Sequence, residues 1–340
     1  MSDLVALWAE LRKDTSKLTG VVRRRINKEA PCKVFAGIEQ PEGRPCLITE
    51  FDESVRLRQR SLPRSRGFST TVQSLNTADP QHSGRRLVIA LSDARFEDIF
   101  AILCEDIRQA LVEAKSQSAC VAAGIERLDR WQRFLQKHSG SGLSEEEQRG
   151  LAGELVFLRD VALQNLDPPE AMDSWVGPKG RSQDYEIPGA SVEVKTTIAS
   201  PHQMIRISNV RQLDDTGLPA LFLFVLPIDV HREAGQTLPD LIEEIRALLS
   251  TPSETARIFE DRLLEAGYMD SHAEKYKRDR YVFRAPSYYR VTEGFPRIIE
   301  SDLVQGVGDV KYSIAVAACG EFQVDEVAML SAMETHEYSD

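Results

Sequence analysis

Two acids and a lysine, Asp184, Glu193 and Lys195, stand close together in the segment QDYEIPGASVEVKTT, residues 183–197. Hard carboxylate oxygens suit Mg²⁺, which takes few protein ligands and keeps waters for itself and for a phosphate. An ammonium beside such an ion orients a water and offsets the negative charge that develops on a phosphoryl group. These residue types together suit phosphodiester hydrolysis.

The chemistry requires the three side chains to converge, and the segment supplies a means. Pro188-Gly189 is a turn dipeptide between two strand-like runs. A turn centred there sets Ile187 opposite Ala190, Tyr185 opposite Val192 and Asp184 opposite Glu193. Pro-Gly favours a type II turn, which fits hairpin twist less well than the primed types, so a longer connection stays open. Like charges directly opposed across strands repel, which calls for a cation between them. Strand alternation puts Glu193 and Lys195 on one face and turns Val192 and Val194 toward a core. The competing explanation is an ordinary solvated Glu-x-Lys pair on an exposed strand.

The chain around the hairpin predicts two domains. In its 340 residues no apolar run approaches the roughly 18 needed to span a membrane. The N-terminus MSDLVALWAELRKD lacks the apolar stretch of a secretory signal, which predicts a cytoplasmic protein. Cys32, Cys46, Cys104, Cys120 and Cys319 are scattered, with no CxxC spacing, and read as reduced buried thiols. The spacing of Leu4, Leu7, Trp8 and Leu11 predicts an opening helix running on toward Leu18 and stopped by Gly20. CKVFAGIEQ, PCLITEF, FSTTVQSL and RRLVIALSD predict a small sheet. Helices at about 96–114 and 125–137 follow. HSGSG, residues 138–142, reads as a linker. The expected domains are an accessory α+β domain over 1–138 and a mixed α/β domain over 139–340. In the second, Ser144 and Glu147 form a capping-box signature that starts a helix through GELVFLRDVAL. The apolar strand ALFLFVLPI, helices at about 240–249 and 253–266, and the strand-like RYVFR, YYRVT and DVKYSIAVAAC come after the hairpin.

The formal net charge of −11 weighs against a nucleic-acid ligand, whose phosphates need basic surface. Its distribution softens the objection. Residues 1–66 hold 14 Lys/Arg against 9 Asp/Glu, including Arg23, Arg24, Arg25, Arg56, Arg58, Arg60, Arg64 and Arg66, whereas the last 20 residues hold six acids and no Lys or Arg. Such clusters also occur as plain solvated faces. The six histidines show no zinc spacing, and there is no GxGxxG, Walker A or GxSxG sequence.

Asp184 followed by Glu193-Val-Lys195 resembles the PD-(D/E)xK signature of restriction-endonuclease-like nucleases. GLSEEEQRGLAGELVFLRD, SWVGPKGRSQDYEIPGASVEVKTT, RISNVRQLD, RVTEGFPRI and DVKYSIAVAAC look like a bacterial family of uncharacterised function grouped with them. The resemblance implies a restriction-endonuclease-like core, a mixed sheet flanked by helices, and Mg²⁺ as cofactor with Mn²⁺ as a stand-in. It implies DNA as the partner, a setting among anti-phage and restriction-modification genes, other defence proteins as further partners, and a homodimer if both strands are cut. It also implies roles: Asp184 and Glu193 on the metal, Lys195 on the attacking water, and Glu154 of the preceding helix supporting the metal. Gln183 stands where the signature has proline.

Other residues carry weaker signals. Gln212 is placed on a short helix where related nucleases offer polar groups, His202 could pass a proton, and Trp175 could line the cleft. Ser191, Thr196 and Thr197 read as strand fillers. Glu154 has a plainer explanation too, as a surface carboxylate on an amphipathic helix. The function expected is a Mg²⁺-dependent DNA endonuclease, with Arg56 to Arg66 helping to hold DNA. The alternative is a catalytically idle nuclease fold that binds DNA or partner proteins.

Overall fold

A computed structural model describes residues 3–14, 18–56, 62–75, 84–137, 142–198, 200, 202–249 and 254–334. The chain forms two compact units, Met1–Ser141 and Gly142–Asp340. The boundary region 138–141, Arg58, Arg60 and Ser253 lie outside the described residues.

In the first unit, α1 (Asp3–Arg12) buries Leu4, Trp8 and Leu11. It stops at Arg12, well short of Gly20, which instead opens a strand. The five strands β1 (Gly20–Ile26), β2 (Lys33–Gln40), β3 (Arg44–Asp52), β4 (Phe68–Leu75) and β5 (Gly84–Leu91) form an antiparallel sheet in the order β1-β2-β3-β5-β4. β1 was not foreseen. It is an edge strand with only Val22 fully buried, so its sequence VVRRRI lacks the alternation of a half-buried strand. Arg23 pairs with Glu50, and Arg24 Nη1 lies 2.8 Å from Glu10 Oε2. Helices α2 (Glu97–Glu113) and α3 (Gln117–Lys137) complete the unit. α3 starts well before residue 125 because Ser116 Oγ accepts from the Ala119 N–H, capping a helix whose first turn has little apolar signal. Arg56, Arg64 and Arg66 are exposed.

The second unit is built on a mixed sheet. Its strands are β6 (Tyr185–Ile187), β7 (Ala190–Ile198), β9 (Leu221–His231), β10 (Arg280–Phe283), β11 (Ser287–Arg290) and β13 (Gln323–Val324), in the order β13-β11-β9-β7-β6 with β10 also on β9. β8 (Met204–Ile207) and β12 (Tyr312–Ala315) pair separately. β7 and β9 run parallel; the other pairs are antiparallel. β9 is apolar from Leu221 to Ile228, where both its faces are covered, and turns polar at Asp229 and His231 as it emerges. Phe222, Phe224, Leu226 and Ile228 join the larger core, and Leu221, Leu223 and Val225 join a second cluster with Ile205 and Ile207.

α4 (Glu145–Phe157) packs Leu151, Leu155 and Phe157 into the larger core with Val192 and Val194. Its capping box is formed: Ser144 Oγ accepts from the Glu147 N–H at 3.3 Å, and the Ser144 N–H donates to Glu147 Oε2 at 2.8 Å. The helix then widens into a π turn, Leu158–Ala162. Helices Leu238–Leu248 and Glu254–Glu265 follow the sheet strand. Pieces that escaped the sequence patterns include the short helix Pro168–Ser174, strands β8 and β13, the 3₁₀ turn Val316–Phe322 where DVKYSIAVAAC reads as strand, and the closing helix Glu326–Glu334.

Candidate functional site

The hairpin pairs Ile187 with Ala190 and Tyr185 with Val192 around the Pro188-Gly189 turn. The ladder ends at Tyr185, and among the described residues no strand pairs with residues 193–198 of β7 on that side. An unpaired strand edge leaves its N–H groups bare. Asp184 meets the first of them: its Oδ2 accepts from the Val194 N–H at 2.8 Å. Its own N–H donates to the Val192 carbonyl at 3.2 Å. The short strand thus opens the sheet edge where the acids lie and bends the Asp184 carboxylate toward it.

Glu193 and Lys195 share the other face of β7 from Val192 and Val194, which are in the larger core. That face is not solvated. Glu193 is 0 % exposed and the Lys195 side chain 14 %, which sets aside an ordinary solvated pair. Lys195 Nζ lies 2.5 Å from Glu193 Oε1, yet neither carboxylate oxygen of Glu193 has a hydrogen bond of acceptable geometry. The contact is an ion pair without a directed bond, and the positive charge expected between the acids is here the lysine's own.

Burial pushes the Glu193 carboxyl well above the usual carboxylate range, and Asp184 repels it further, against the pull of Lys195. Burial also raises Asp184, opposed by Lys195 and by the Val194 N–H. For Lys195, burial alone acts downward, but Glu193 and Asp184 outweigh it and the ammonium is held charged. Among the described residues, Asp184 and Glu193 share the single ammonium of Lys195.

Glu154 joins this set from α4. Its Oε2 accepts from the Trp175 indole Nε1 at 2.7 Å, and its backbone carbonyl accepts from the Tyr185 hydroxyl at 2.8 Å. It is half-buried rather than a free surface carboxylate. Trp175 is fully buried, so it both stands behind the site and pins its loop to the core, 6.1 Å from the Phe259 ring. The same loop grips Asp184, whose carbonyl accepts from the Val176 and Gly177 N–H groups, each at 2.9 Å.

These residues open onto a cleft of about 490 Å³ lined by Glu154, Asp184, Glu193, Lys195, Thr196 and Thr197, with Arg149, Arg206 and Gln212 among the residues around them. Arg206 lies 3.8 Å from Glu146, and Arg149 has no ion-pair partner among the described residues. Gln212 sits on the 3₁₀ turn Val210–Leu213, its Oε1 accepting from the Ser208 N–H at 2.8 Å. Gln183, in the position of the signature proline, is buried and donates from Nε2 to the Arg211 carbonyl at 2.8 Å, tying that turn to the hairpin. Ser191 is buried away from the cleft, and His202 is exposed and does not line it.

A divalent cation fits the donors present. Glu193 offers two buried oxygens, of which Oε1 is in ion-pair contact with Lys195, Asp184 offers an oxygen beyond the one on Val194, and all are hard ligands. Among the described residues no three His, Cys, Asp or Glu side chains form a ready cage. Mg²⁺ does not need one, since it binds through one or two carboxylates and keeps its waters.

A family model described as "Putative PD-(D/E)XK family member (DUF4420)" matches residues 4–317. The chain belongs to this family. Its mixed sheet flanked by helices is the restriction-endonuclease-like fold that the PD-(D/E)XK name carries. No curated protein and no solved structure matches the chain. Asp184, Glu193 and Lys195 have the order D then ExK that the family's description spells out, with glutamine before the aspartate where the signature has proline. Three residues beside the set were missed by sequence reasoning: Arg149, Arg206 and Gly177. Nothing local marks the two arginines, whereas Gly177 before Pro178 in the WVGP loop was a visible turn signal.

Proposed function

We propose that the chain is a divalent-metal-dependent nuclease that cleaves DNA in bacterial anti-phage or restriction defence. Asp184 and Glu193 hold the cation, Glu154 supports it, and Lys195 orients the attacking water. The observation that carries this reading is Glu193, a fully buried carboxylate without a directed hydrogen bond, beside Asp184 and Lys195. Such a group costs stability unless something binds it, and a purely structural subunit has no use for that cost.

A bound cation supplies Lewis-acid polarisation of the phosphoryl oxygen and a more acidic water. The protein supplies the rest. Lys195, held charged by its two acids, faces the cleft with only part of its ammonium open to solvent, so it can hold a water and offset charge on phosphate oxygens. Arg149 and Arg206 line the same cleft and offer further positive charge to the nucleic-acid backbone.

The test is plasmid and linear DNA incubated with the purified protein in Mg²⁺ or Mn²⁺, beside Asp184→Ala and Lys195→Ala. Each substitution should lower cleavage by at least roughly a hundredfold. Cleavage that survives either one removes the site assignment. Metal binding without cleavage by the wild type favours the idle DNA-binding subunit instead.

A further inference from the structure

The loop Trp175-Val176-Gly177 touches both acids that approach the hairpin from outside β7, and it is not part of the acid and lysine set. Three contacts converge there. The Trp175 indole donates to Glu154 Oε2 at 2.7 Å. The Val176 and Gly177 N–H groups donate to the Asp184 carbonyl. A Cβ on Gly177 would stand 2.7 Å from Asp184 Oδ1 and 3.3 Å from Glu154 Oε2, so only glycine lets the loop pass this close to both carboxylates. The loop is itself well anchored: Trp175 is fully buried, its carbonyl accepts from Arg262 Nε at 3.1 Å, and it bridges to Tyr185.

We propose that Trp175 is a positioning residue: its indole N–H holds the Glu154 carboxylate aimed at the cation site, while the backbone beside it holds Asp184. This rests on the metal-dependent reading above. A hydrogen bond to a charged acceptor is stronger than one between neutral groups, and 2.7 Å is the length of such a bond. The indole has one donor and no acceptor, so its bond fixes Oε2 of the Glu154 carboxylate and with it the direction of the group. Groups that orient metal ligands in this way usually change metal affinity by ten- to a hundredfold when lost.

Trp175→Phe keeps a ring on the side of Phe259 and removes the donor together with part of the ring volume. Mn²⁺ binding, followed through the paramagnetic resonance of the free ion, should weaken about tenfold. The melting temperature without metal should stay within a few degrees, and the cleavage rate should recover at saturating Mn²⁺. Unchanged Mn²⁺ affinity overturns the inference and leaves the proposed function standing; a wild type that binds no Mn²⁺ overturns both. A second measurement covers a variant that fails to fold. Tb³⁺, a hard ion that luminesces when a nearby indole passes it excitation, should emit with the wild type and lose most of that emission in Glu154→Gln. Equal emission from both, or none from a wild type that binds Mn²⁺, overturns the inference.

Discussion

Glu193→Gln should make the metal-free protein more stable and remove its response to metal. Glutamine has the shape of the carboxylate without its charge, and the site it enters is fully buried with no directed hydrogen bond to either oxygen. Two effects oppose one another. An unsatisfied buried polar group costs roughly 1–3 kcal/mol, more when charged, and the substitution relieves that cost. It also takes away the partner 2.5 Å from Lys195 Nζ. The first effect wins, because the environment holds the Glu193 carboxyl above its usual range even with the ammonium beside it, and Lys195 keeps Asp184. A net gain of about 1–3 kcal/mol at about 3 °C per kcal/mol for a unit of this size raises Tm by roughly 3–9 °C. Metal inverts the order. At a concentration about 100 times its Kd, Mn²⁺ adds about 2.7 kcal/mol to the wild type and far less to the variant. Calorimetric melts in a chelator and in saturating Mn²⁺ measure both. A variant that melts below the wild type in the chelator refutes the reasoning, since the ion pair would then outweigh the cost of burial.

The same acids set a pH dependence. Asp184 and Glu193 both have folded pKa values raised above their unfolded ones, so their contribution to stability is full below about 4 and is lost as pH rises through the folded values. The Tm gap between Glu193→Gln and the wild type in chelator should therefore widen from about pH 5 to about pH 8, and a gap that narrows contradicts the shift. Gly177→Ala should drive a methyl against Asp184 Oδ1 and lower the cleavage rate by about a hundredfold, as misplacement on the ångström scale does, while costing about 1–3 kcal/mol in urea melts. An alanine variant with the wild-type rate would mean that the loop does not constrain the acid. Gln183→Leu leaves the Arg211 carbonyl without its side-chain donor and should lower the unfolding free energy by about 1–3 kcal/mol, read as a lower urea midpoint at unchanged m-value; an unchanged midpoint would remove its anchoring role.

Local rules made much of the hairpin readable in advance. Pro188-Gly189 and strand alternation specify pairing and faces from neighbours only, and the observed partners Ile187/Ala190 and Tyr185/Val192 follow from them. The capping box at Ser144 and the helices at 97–113 and 238–248 are likewise local signals. What stayed hidden depends on distant residues. The Trp175–Glu154 bond joins groups that only the packing of α4 and the Phe259 helix brings together. Nothing near Gln183 shows that its amide reaches the turn at 210–213. β1 was obscured for a different reason: an edge strand with one buried residue has almost no pattern to find.

The closing helix Glu326–Glu334 sits on the turn of the hairpin. A Cβ at Gly189 would come within 1.9 Å of the Ala332 carbonyl oxygen, and Met329 and Met333 fill places in the same core as Ile187, Ala190 and Val192. This helix lies beyond residue 317, where the family match ends. Anyone trimming the chain to the shared segment would lift a cover from the strands that present Asp184 and Glu193. Residue 189 is also closed to mutational drift for as long as the cover stays in place, so the turn of the hairpin is tied to a tail that the family match does not reach.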